Sequence, residues 1–373
     1  MKILFIYGTR PEAIKMAPLV KAFQKHPEFD VRVCVTGQHR QMLDQVLSFF
    51  EIVPDYDLNL MRPNQTLFSI TAQVLLGLEP ILESFKPDNV WVQGDTTTVM
   101  AGSIAAFYKK ISVSHLEAGL RSGEKFSPFP EEINRKITGH IADYHFAPTP
   151  LAVQNLAAEG LSDHVYMVGN TVTDAILLGL DLIKKQGEEN YQAFFKDIDF
   201  TKRIILITGH RRESFGSSFH EMCAAIKELA QKNPDVELIY PVHLNPNVQS
   251  VVNNVLENIP NVHLLKPLDY PYLIWLMNQS YLVLTDSGGI QEEAPTLGKP
   301  VLVMRDVTER QEGIEAGTAK LVGTSKMVIV SETTDLLNNP KDYQKMANAV
   351  NPYGDGTTSQ QIVDIYKSII NQR

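Results

Sequence analysis

The chain has 373 residues, 44% of them hydrophobic and 21% charged, which is enough for a full core and for about two domains. Its 34 Lys and Arg against 43 Asp and Glu give a net charge of -9, the wrong sign for a protein that depends on nucleic-acid phosphates for affinity. Cys34 and Cys223 lack the spacing of a metal or redox site and are expected to be buried free thiols in a reducing compartment.

The N-terminus predicts neither a signal peptide nor a membrane anchor. The apolar run Ile3 to Tyr7 ends at Gly8 and is too short for the core of a signal peptide. No other run reaches the roughly 18 uninterrupted apolar residues of a membrane span. We therefore expect a cytoplasmic protein that binds no membrane and no nucleic acid.

Short apolar runs of strand length alternate with helical segments through the first half of the chain. The run Ile3 to Tyr7 is followed by a loop at Gly8 and Pro11 and by a helical pattern over 12–25. Such alternation favours a parallel sheet with helices on both faces. The further predicted strands are 31–36, 90–93, 112–116 and 165–168, and the further predicted helices include 41–50 and 96–110.

A second series of strands begins after Gly187, where the sequence is polar and aromatic without a clear period. Helix-length segments separate its predicted strands, which are 203–208, 236–240, 262–264, 282–284, 301–304 and 320–322. Two consecutive doubly wound, Rossmann-like α/β domains fit best, with bounds at 1–170 and 171–355 and a closing helix in 356–373. Such sheets bind ligands beyond the carboxyl ends of their strands, so the loops after the strands form the candidate site.

Three loops that follow strands carry groups suited to anionic oxygens. The loop 8–12 places Arg10 at a helix start, and the loop 285–290 offers exposed backbone N–H groups. The loop after the first strand of the second half pairs His210 with two arginines. The structural alternatives are an ordinary turn with a solvated Arg10 and a helix-start cluster at His210. Because the patterns GxGxxG and GxxxxGKS/T are both absent, the sequence does not favour a redox enzyme or a P-loop ATPase.

Carboxylates recur at the matching edge of the first predicted sheet. Asp95 follows the strand 90–93, Glu117 follows the strand 112–116, and Glu131 comes on the next loop. Parallel strands present such acids at one sheet edge, which suggests acid–base chemistry. The alternative for each acid is a solvated or helix-capping role, since Asp95 precedes three threonines.

Two further residue patterns concern metals and ribose. His115 and Glu117 alternate as two metal ligands on a strand would, but no third ligand has metal spacing and HExxH is absent, so no metal site is predicted. Glu293, shortly after the loop 285–290, is positioned to accept hydrogen bonds from a ribose, with an exposed helix-face Glu as the alternative. The loops and acids together indicate a nucleotide diphosphate conjugate bound between two domains.

Several long motifs in this order resemble those of the non-hydrolysing UDP-N-acetylglucosamine 2-epimerases. The resemblance runs from Met1 to about Val322 and continues more weakly to the C-terminus. It implies a two-domain glycosyltransferase-B-like fold, with the active site in the interdomain cleft and the last helix crossing back to the N-terminal domain. The motifs are GTRPEAIKMAP (8–18), QGDTTTV (93–99), HLEAGLRS (115–122), PFPEEINR (128–135), GHRRES (209–214) and TDSGGIQEEAP (285–295).

The implied reaction interconverts UDP-GlcNAc and UDP-ManNAc, by eliminating UDP to 2-acetamidoglucal and re-adding it after C2 has changed configuration. The resemblance implies no metal or redox cofactor, a homodimer, and a product that supplies ManNAc units to cell-surface polysaccharides. The main alternative is a UDP-sugar-dependent glycosyltransferase of the same fold, against which the three acids argue, since a transferase mostly needs leaving-group help and an acceptor groove. A non-catalytic UDP-sugar sensor and a hydrolysing epimerase would carry similar binding loops.

Residue roles follow from the same resemblance, motif by motif. The implied catalytic residues are Asp95, Glu117, Glu131 and His210. Arg121 and Arg135 are expected to orient the acids or the sugar. The implied substrate-binding residues are Arg10, Lys15, Arg135, Arg211, Ser287, Gly288, Gly289 and Glu293, and the implied second, allosteric UDP-GlcNAc site includes Gln38, Gln41 and His243.

Overall fold

The computed structural model describes residues 1–37, 40–62, 65–209 and 216–371. The chain divides into two compact units, Met1–Leu178 with Tyr353–Arg373, and Gly179–Pro352. Each unit is built on its own parallel sheet with flanking helices, so the predicted α/β class with two doubly wound sheets is confirmed. The sequence predicted domains at 1–170 and 171–355, which need not coincide with these two compact units. The domain bounds stay a prediction.

The first unit alternates strands and helices around one sheet. Its strands are β1 (Lys2–Tyr7), β2 (Asp30–Val35), β3 (Tyr56–Asp57), β4 (Asn89–Gln93), β5 (Ser112–Leu116), β6 (Tyr144–Ala147) and β7 (Val165–Met167). Its helices are α1 (Arg10–Gln24), α2 (Arg40–Phe49), α3 (Leu67–Phe85), α4 (Thr97–Tyr108), α5 (Glu131–Ile141), α6 (Pro150–Ala158) and α7 (Thr171–Gln186), within which the chain leaves the unit. The described strands are all parallel and lie in the order β3-β2-β1-β4-β5-β6-β7.

The second unit repeats this plan with a smaller sheet. Its strands are β8 (Arg203–Thr208), β9 (Val236–Pro241), β10 (Val262–Leu265), β11 (Leu282–Thr285), β12 (Val301–Val303) and β13 (Ala319–Leu321), in the parallel order β10-β9-β8-β11-β12-β13. Its helices are α8 (Glu189–Phe194), α9 (Ser217–Lys232), α10 (Pro246–Leu256), α11 (Tyr270–Gln279), α12 (Gly288–Glu293), α13 (Gln311–Glu315), α14 (Lys326–Asn338) and α15 (Pro340–Ala347). The last helix of the chain, α16 (Thr358–Asn371), belongs to the first unit.

The strand order reverses between β1 and β4 in the first sheet and between β8 and β11 in the second. At such a switch point the connections run to opposite faces of the sheet, and a crevice opens at the carboxyl ends of the strands. Arg10 begins the helix after β1, Asp95 follows β4, and Ser287 follows β11. The topology of each sheet therefore puts predicted site residues where open α/β sheets bind their ligands.

The core of the first unit is closed by α16, which packs along α1. Tyr366 of α16 lies edge-on to Trp91 of β4, with the ring centroids 5.4 Å apart. Tyr366 is only 1% exposed, and burying a ring of this size contributes roughly 4 kcal/mol at about 25 cal/mol per Å². Segments from both ends of the sequence therefore build this one core.

The two thiols are buried and free, as the sequence predicted. Cys34 lies on β2 in the first unit, and Cys223 lies on α9 in the second. Burial raises the pKa of each thiol to about 12, so neither is a reactive thiolate near neutral pH.

Within the described residues, one helix, α3, is long and apolar enough to cross a membrane when only length and composition are considered. Its Ile70, Val74 and Leu78 are buried in a hydrophobic cluster of the first unit. Core helices pass the same test of length and composition, so that test does not establish a membrane span for α3.

Candidate active site

Asp95 occupies the turn after β4, and Thr96 rather than Asp95 caps α4, so the capping alternative for this acid is wrong. The Asp95 carboxylate accepts a hydrogen bond from the Arg135 guanidinium. The preceding residue, Gly94, has φ +78, and its carbonyl lies 2.8 Å from His115 Nε2. Burial lowers the pKa of His115 to about 3, so a neutral imidazole donates this bond and fixes the turn that carries Asp95.

Glu117, directly after β5, is buried and has φ +63. One carboxylate oxygen accepts hydrogen bonds from the Lys15 ammonium and, at 3.0 Å, from the Asn170 amide. The other oxygen accepts from the Gln93 amide. Three donors from three segments of the chain favour the ionised form of this buried carboxylate. Lys15, for which the resemblance implies a role at the substrate, is thus paired with Glu117 in this structure.

Glu131 is the first residue of α5, one helical turn before Arg135. Its Oε2 is buried and has no hydrogen-bond partner within the described ranges. A buried polar atom without a partner is costly, and a catalytic role is one of the explanations for such an atom in a native structure. Glu131 therefore has a buried oxygen whose hydrogen-bonding capacity is unused within the described ranges.

The structure places Asp95 and Glu117 after two neighbouring strands of the first sheet, and Glu131 at the start of α5. The Gly94 N–H donates to the Leu116 carbonyl at 3.0 Å, which joins the turn of Asp95 to the strand end before Glu117. Arg135 then connects Asp95 to α5, the helix that begins at Glu131. Two neighbouring strands and one helix therefore hold these acids together.

Glu12 is a buried residue of this region that the sequence analysis did not single out. Its Oε2 accepts hydrogen bonds from the backbone N–H groups of Gly8 at 3.2 Å and Thr9 at 2.8 Å, and its Oε1 accepts from Thr96 Oγ1 at 2.9 Å. Glu12 thereby ties the turn after β1 to the turn that carries Asp95. The available signal was the capping box of Thr9 and Glu12, which predicts a helix start but no contact with Thr96.

The protonation of Glu12 makes stability depend on pH. Burial raises the pKa of Glu12 from its ordinary 4.5 to about 7, although Thr9 and Thr96 donate hydrogen bonds to it. Between these two values the folded state holds a proton that the unfolded state has released, so stability falls as the pH rises through this window. At 1.36 kcal/mol per pKa unit, the full loss is about 3 kcal/mol and is complete above the folded pKa.

We expect Glu12→Gln to remove this part of the pH dependence. The amide can mimic the protonated acid, because its nitrogen can donate to Thr96 Oγ1 while its oxygen accepts from Gly8 and Thr9. Urea unfolding at about pH 5 and about pH 8 measures the effect. The wild type should lose about 2 to 3 kcal/mol more than the variant between these conditions, because part of the full loss already lies below pH 5. An equal loss in both proteins would contradict the ionisation of Glu12.

In the second unit, the loop after β11 carries the residues predicted to hold phosphate. Ser287 precedes α12, and its backbone N–H donates to Thr285 Oγ1 at 2.9 Å. A Cβ added at Gly289 would meet no atom of the described chain within 4 Å, while Gly288 is buried. Glu293 is 8% exposed, so the alternative of an exposed helix-face Glu is wrong. Open space beside this backbone leaves room for a ligand.

Three of the predicted residues lie outside the described ranges, and two predicted for the allosteric site lie in different units. His210, Arg211 and Gln38 are not among the described residues. Gln41 is exposed on α2 of the first unit, and His243 follows β9 in the second unit, where its Nδ1 accepts a backbone hydrogen bond at 3.1 Å. The structure therefore gives no common geometry for the residues of the predicted allosteric site.

Arg121 does not contact the three acids. It makes two hydrogen bonds to the Glu159 carboxylate, of 2.9 and 2.6 Å, so in this structure it joins the loop after β5 to the end of α6. As for metals, the described part of the chain contains no group of three or more His, Cys, Asp or Glu side chains that could hold one.

Two doubly wound parallel sheets with polar loops at their switch points define a glycosyltransferase-B-like fold. A family model described as UDP-N-acetylglucosamine 2-epimerase matches residues 21–367. The UDP-N-acetylglucosamine 2-epimerase of Escherichia coli (strain K12) is 55% identical over 371 residues, which cover 99% of each chain. The chain therefore belongs to the UDP-N-acetylglucosamine 2-epimerase family, and the predicted family and isomerase class are confirmed.

Solved structures agree with this assignment. The UDP-GlcNAc 2-epimerase from Neisseria meningitidis bound to UDP-GlcNAc has a TM-score of 0.90 and 49% identity, covering 99% of this chain and 100% of that chain. The Methanocaldococcus jannaschii UDP-GlcNAc 2-epimerase in complex with UDP-GlcNAc and UDP has a TM-score of 0.80 and 35% identity, with coverage of 99% and 100%. These relatives bind a nucleotide sugar and a nucleotide on the same fold.

Proposed function

We propose that this chain interconverts UDP-N-acetylglucosamine and UDP-N-acetylmannosamine by elimination and re-addition of UDP. The observation that carries the proposal is the grouping of Asp95, Glu117 and Glu131 at one sheet edge, since inversion at C2 needs proton carriers on two faces of the sugar. The relatives solved with UDP-GlcNAc and UDP support these molecules as its ligands.

The chemistry begins at the anomeric carbon. C2–H is not adjacent to a carbonyl, so it becomes acidic only as the C1–O bond breaks and positive charge develops at C1. The electron pair of that bond leaves with UDP, a carboxylate takes the C2 proton, and the C1=C2 bond of 2-acetamidoglucal forms. UDP then adds back to C1 while a protonated acid returns a proton to the other face of C2. No oxidant or reductant is consumed.

The surroundings of each acid suggest its part in this sequence. Glu131 suits proton transfer because one of its oxygens is buried without a partner in the described chain. Glu117, held by donors, suits stabilisation of the positive charge at C1 in its ionised form. Asp95, oriented by Arg135, is the second proton carrier.

The proposal also covers the leaving group, the cellular compartment and the oligomeric state. Cations and backbone N–H groups offset the charge that grows on UDP, which is electrostatic catalysis. By resemblance the enzyme is a cytoplasmic homodimer that supplies ManNAc units for cell-surface polysaccharides. The residues proposed for UDP are Arg10, Lys15, His210, Arg211, Ser287, Gly288, Gly289 and Glu293, and those proposed for a second, allosteric UDP-GlcNAc are Gln38, Gln41 and His243.

Proton NMR of the purified protein with UDP-GlcNAc in D2O tests the proposal. No metal, redox cofactor or sugar acceptor is added, and the C2 position is followed. We expect UDP-ManNAc to appear with deuterium at C2, because the abstracted proton exchanges with solvent. An unchanged sugar that is then transferred to an added acceptor would establish a glycosyltransferase instead, and free ManNAc with UDP would establish hydrolysis.

A further inference from the structure

Glu117 is held by an amide side chain that no sequence motif singled out. Asn170 Nδ2 donates to Glu117 Oε1 at 3.0 Å across 53 residues of sequence, and both side chains are buried. Asn170 is 4% exposed. A charge-assisted hydrogen bond in such a site is stronger than one in water and restricts the carboxylate to one orientation.

The orientation of the Asn170 amide is fixed by its other atom. Asn170 Oδ1 accepts a hydrogen bond from the Val172 backbone N–H at 3.1 Å, so the oxygen faces the start of α7. The nitrogen is consequently the atom that faces Glu117, and exchanging the two amide atoms would lose both bonds. The side chain therefore serves α7 and Glu117 at the same time.

The backbone of Asn170 is held where the chain re-enters the first unit. Its N–H donates to the Tyr353 carbonyl at 2.6 Å, and Tyr353 is the first residue of the returning segment. Gly169 has φ +88, and a Cβ there would lie 2.9 Å from both the Tyr353 carbonyl oxygen and Thr358 Oγ1. Only glycine fits this close approach. The segment that leads out of the first unit and the segment that returns to it are therefore in contact beside Asn170.

We propose that Asn170 is a positioning residue for the reaction: it fixes the Glu117 carboxylate, keeps it ionised, and ties it to the segments at which the chain leaves and re-enters the first unit. This inference rests on the proposed function. Among the described contacts, the other charged or titratable groups that face Glu117 are Lys15 from α1 and His115 from β5. Lys15 supplies the opposite charge, whereas Asn170 fixes the orientation of the Glu117 carboxylate.

Asn170→Ser and Asn170→Asp separate this role from a purely structural one. Both new side chains can still cap the Val172 N–H at the start of α7. Ser is too short to reach Glu117, and Asp places a second carboxylate against it. We expect kcat to fall roughly ten- to a hundredfold in Asn170→Ser while the Kd of UDP changes less than about threefold.

The pH profile of kcat/KM separates a positioning role from a purely structural one, because loss of a structural contact alone would not shift its acid limb. Its acid limb should shift upward by about one pH unit in Asn170→Ser and further in Asn170→Asp, because the first loses a donor to the carboxylate and the second adds a like charge. Asn261→Ala is the matched control, since Asn261 is a buried amide of the second unit that donates only to backbone carbonyls among its described contacts. It should lower stability and leave the limb in place.

The pH profiles and the experiment in D2O together decide the matter. Upward shifts in both Asn170 variants, with none in the control, support the inference. An unmoved acid limb with near-normal kcat in both variants overturns it, as does an equal shift in Asn261→Ala. Absence of epimerisation by the wild type in D2O would instead refute the proposed function, so the two failures are distinguishable.

Discussion

Replacing Asp95 with Asn should lower kcat for epimerisation by about 10²- to 10⁴-fold, the range expected when a proton carrier is lost. The amide has nearly the same shape, and its oxygen can still accept from Arg135, but it can neither take nor return the C2 proton. UDP should still bind with a Kd within about threefold of the wild type, because Asp95 contacts the sugar rather than the nucleotide in the proposed reaction. NMR initial rates and calorimetric titration with UDP measure the two quantities.

Asp143→Asn is the control for this substitution. Asp143 lies at the opposite end of β5, where its carboxylate accepts from Ser112 Oγ at 3.0 Å and from the Val113 N–H at 2.8 Å. It should keep near-normal kcat. By resemblance His210→Ala should match the loss in Asp95→Asn, and near-normal turnover in either variant would mean that the assigned roles are wrong.

Gly119→Ala should lower the stability of the first unit by roughly 3 kcal/mol or more. Gly119 has φ +90, and a Cβ there would lie 2.2 Å from the Ala152 carbonyl oxygen and 2.8 Å from its carbon. These are backbone atoms of α6, which cannot move aside as the end of a flexible side chain can. The Asn155 amide also donates to the Gly119 carbonyl at 3.0 Å, so relief of the clash would break that bond. Urea unfolding followed by circular dichroism measures the loss.

Gly123 offers a matched comparison in the same loop. It also has a left-handed backbone, with φ +77, but a Cβ there would meet nothing within 4 Å in the described chain. Gly123→Ala should therefore cost only the conformational penalty of about 1 kcal/mol. If the two variants lost equal stability, contact with Ala152 would not be the reason that position 119 holds glycine.

The sequence predicted most of the strands as short segments bounded by loops. The expected strand 203–208 matches β8, because a continuous run of β-branched and apolar residues bounded by loops leaves little choice, and the expected strand 112–116 matches β5. β3 and β6 were not predicted. A two-residue strand has no period, and Tyr144–Ala147 mixes polar and apolar residues without alternation, so only pairing with neighbouring strands makes these segments strands.

Part of the candidate site could be predicted from the sequence, and part could not. The placement of Asp95 and Glu117 at one edge could be predicted, because each acid directly follows a parallel strand. The contacts of Glu12 with Thr96 and of Asn170 with Glu117 could not, since each depends on how separate loops bend toward each other after folding. No periodicity or local propensity encodes such contacts between distant loops.

Closure of the first core by α16 has a consequence for synthesis on the ribosome. Residues 179–352 of the second unit must be added before Tyr366 exists, which takes on the order of ten seconds or more at about 5–20 residues per second. The nascent first unit therefore leaves the exit tunnel with one side of its core uncovered, whereas the second unit is contiguous and can fold as soon as it emerges. The earlier part of the chain is thus completed later, and during that interval it presents the apolar surface that a chaperone would bind.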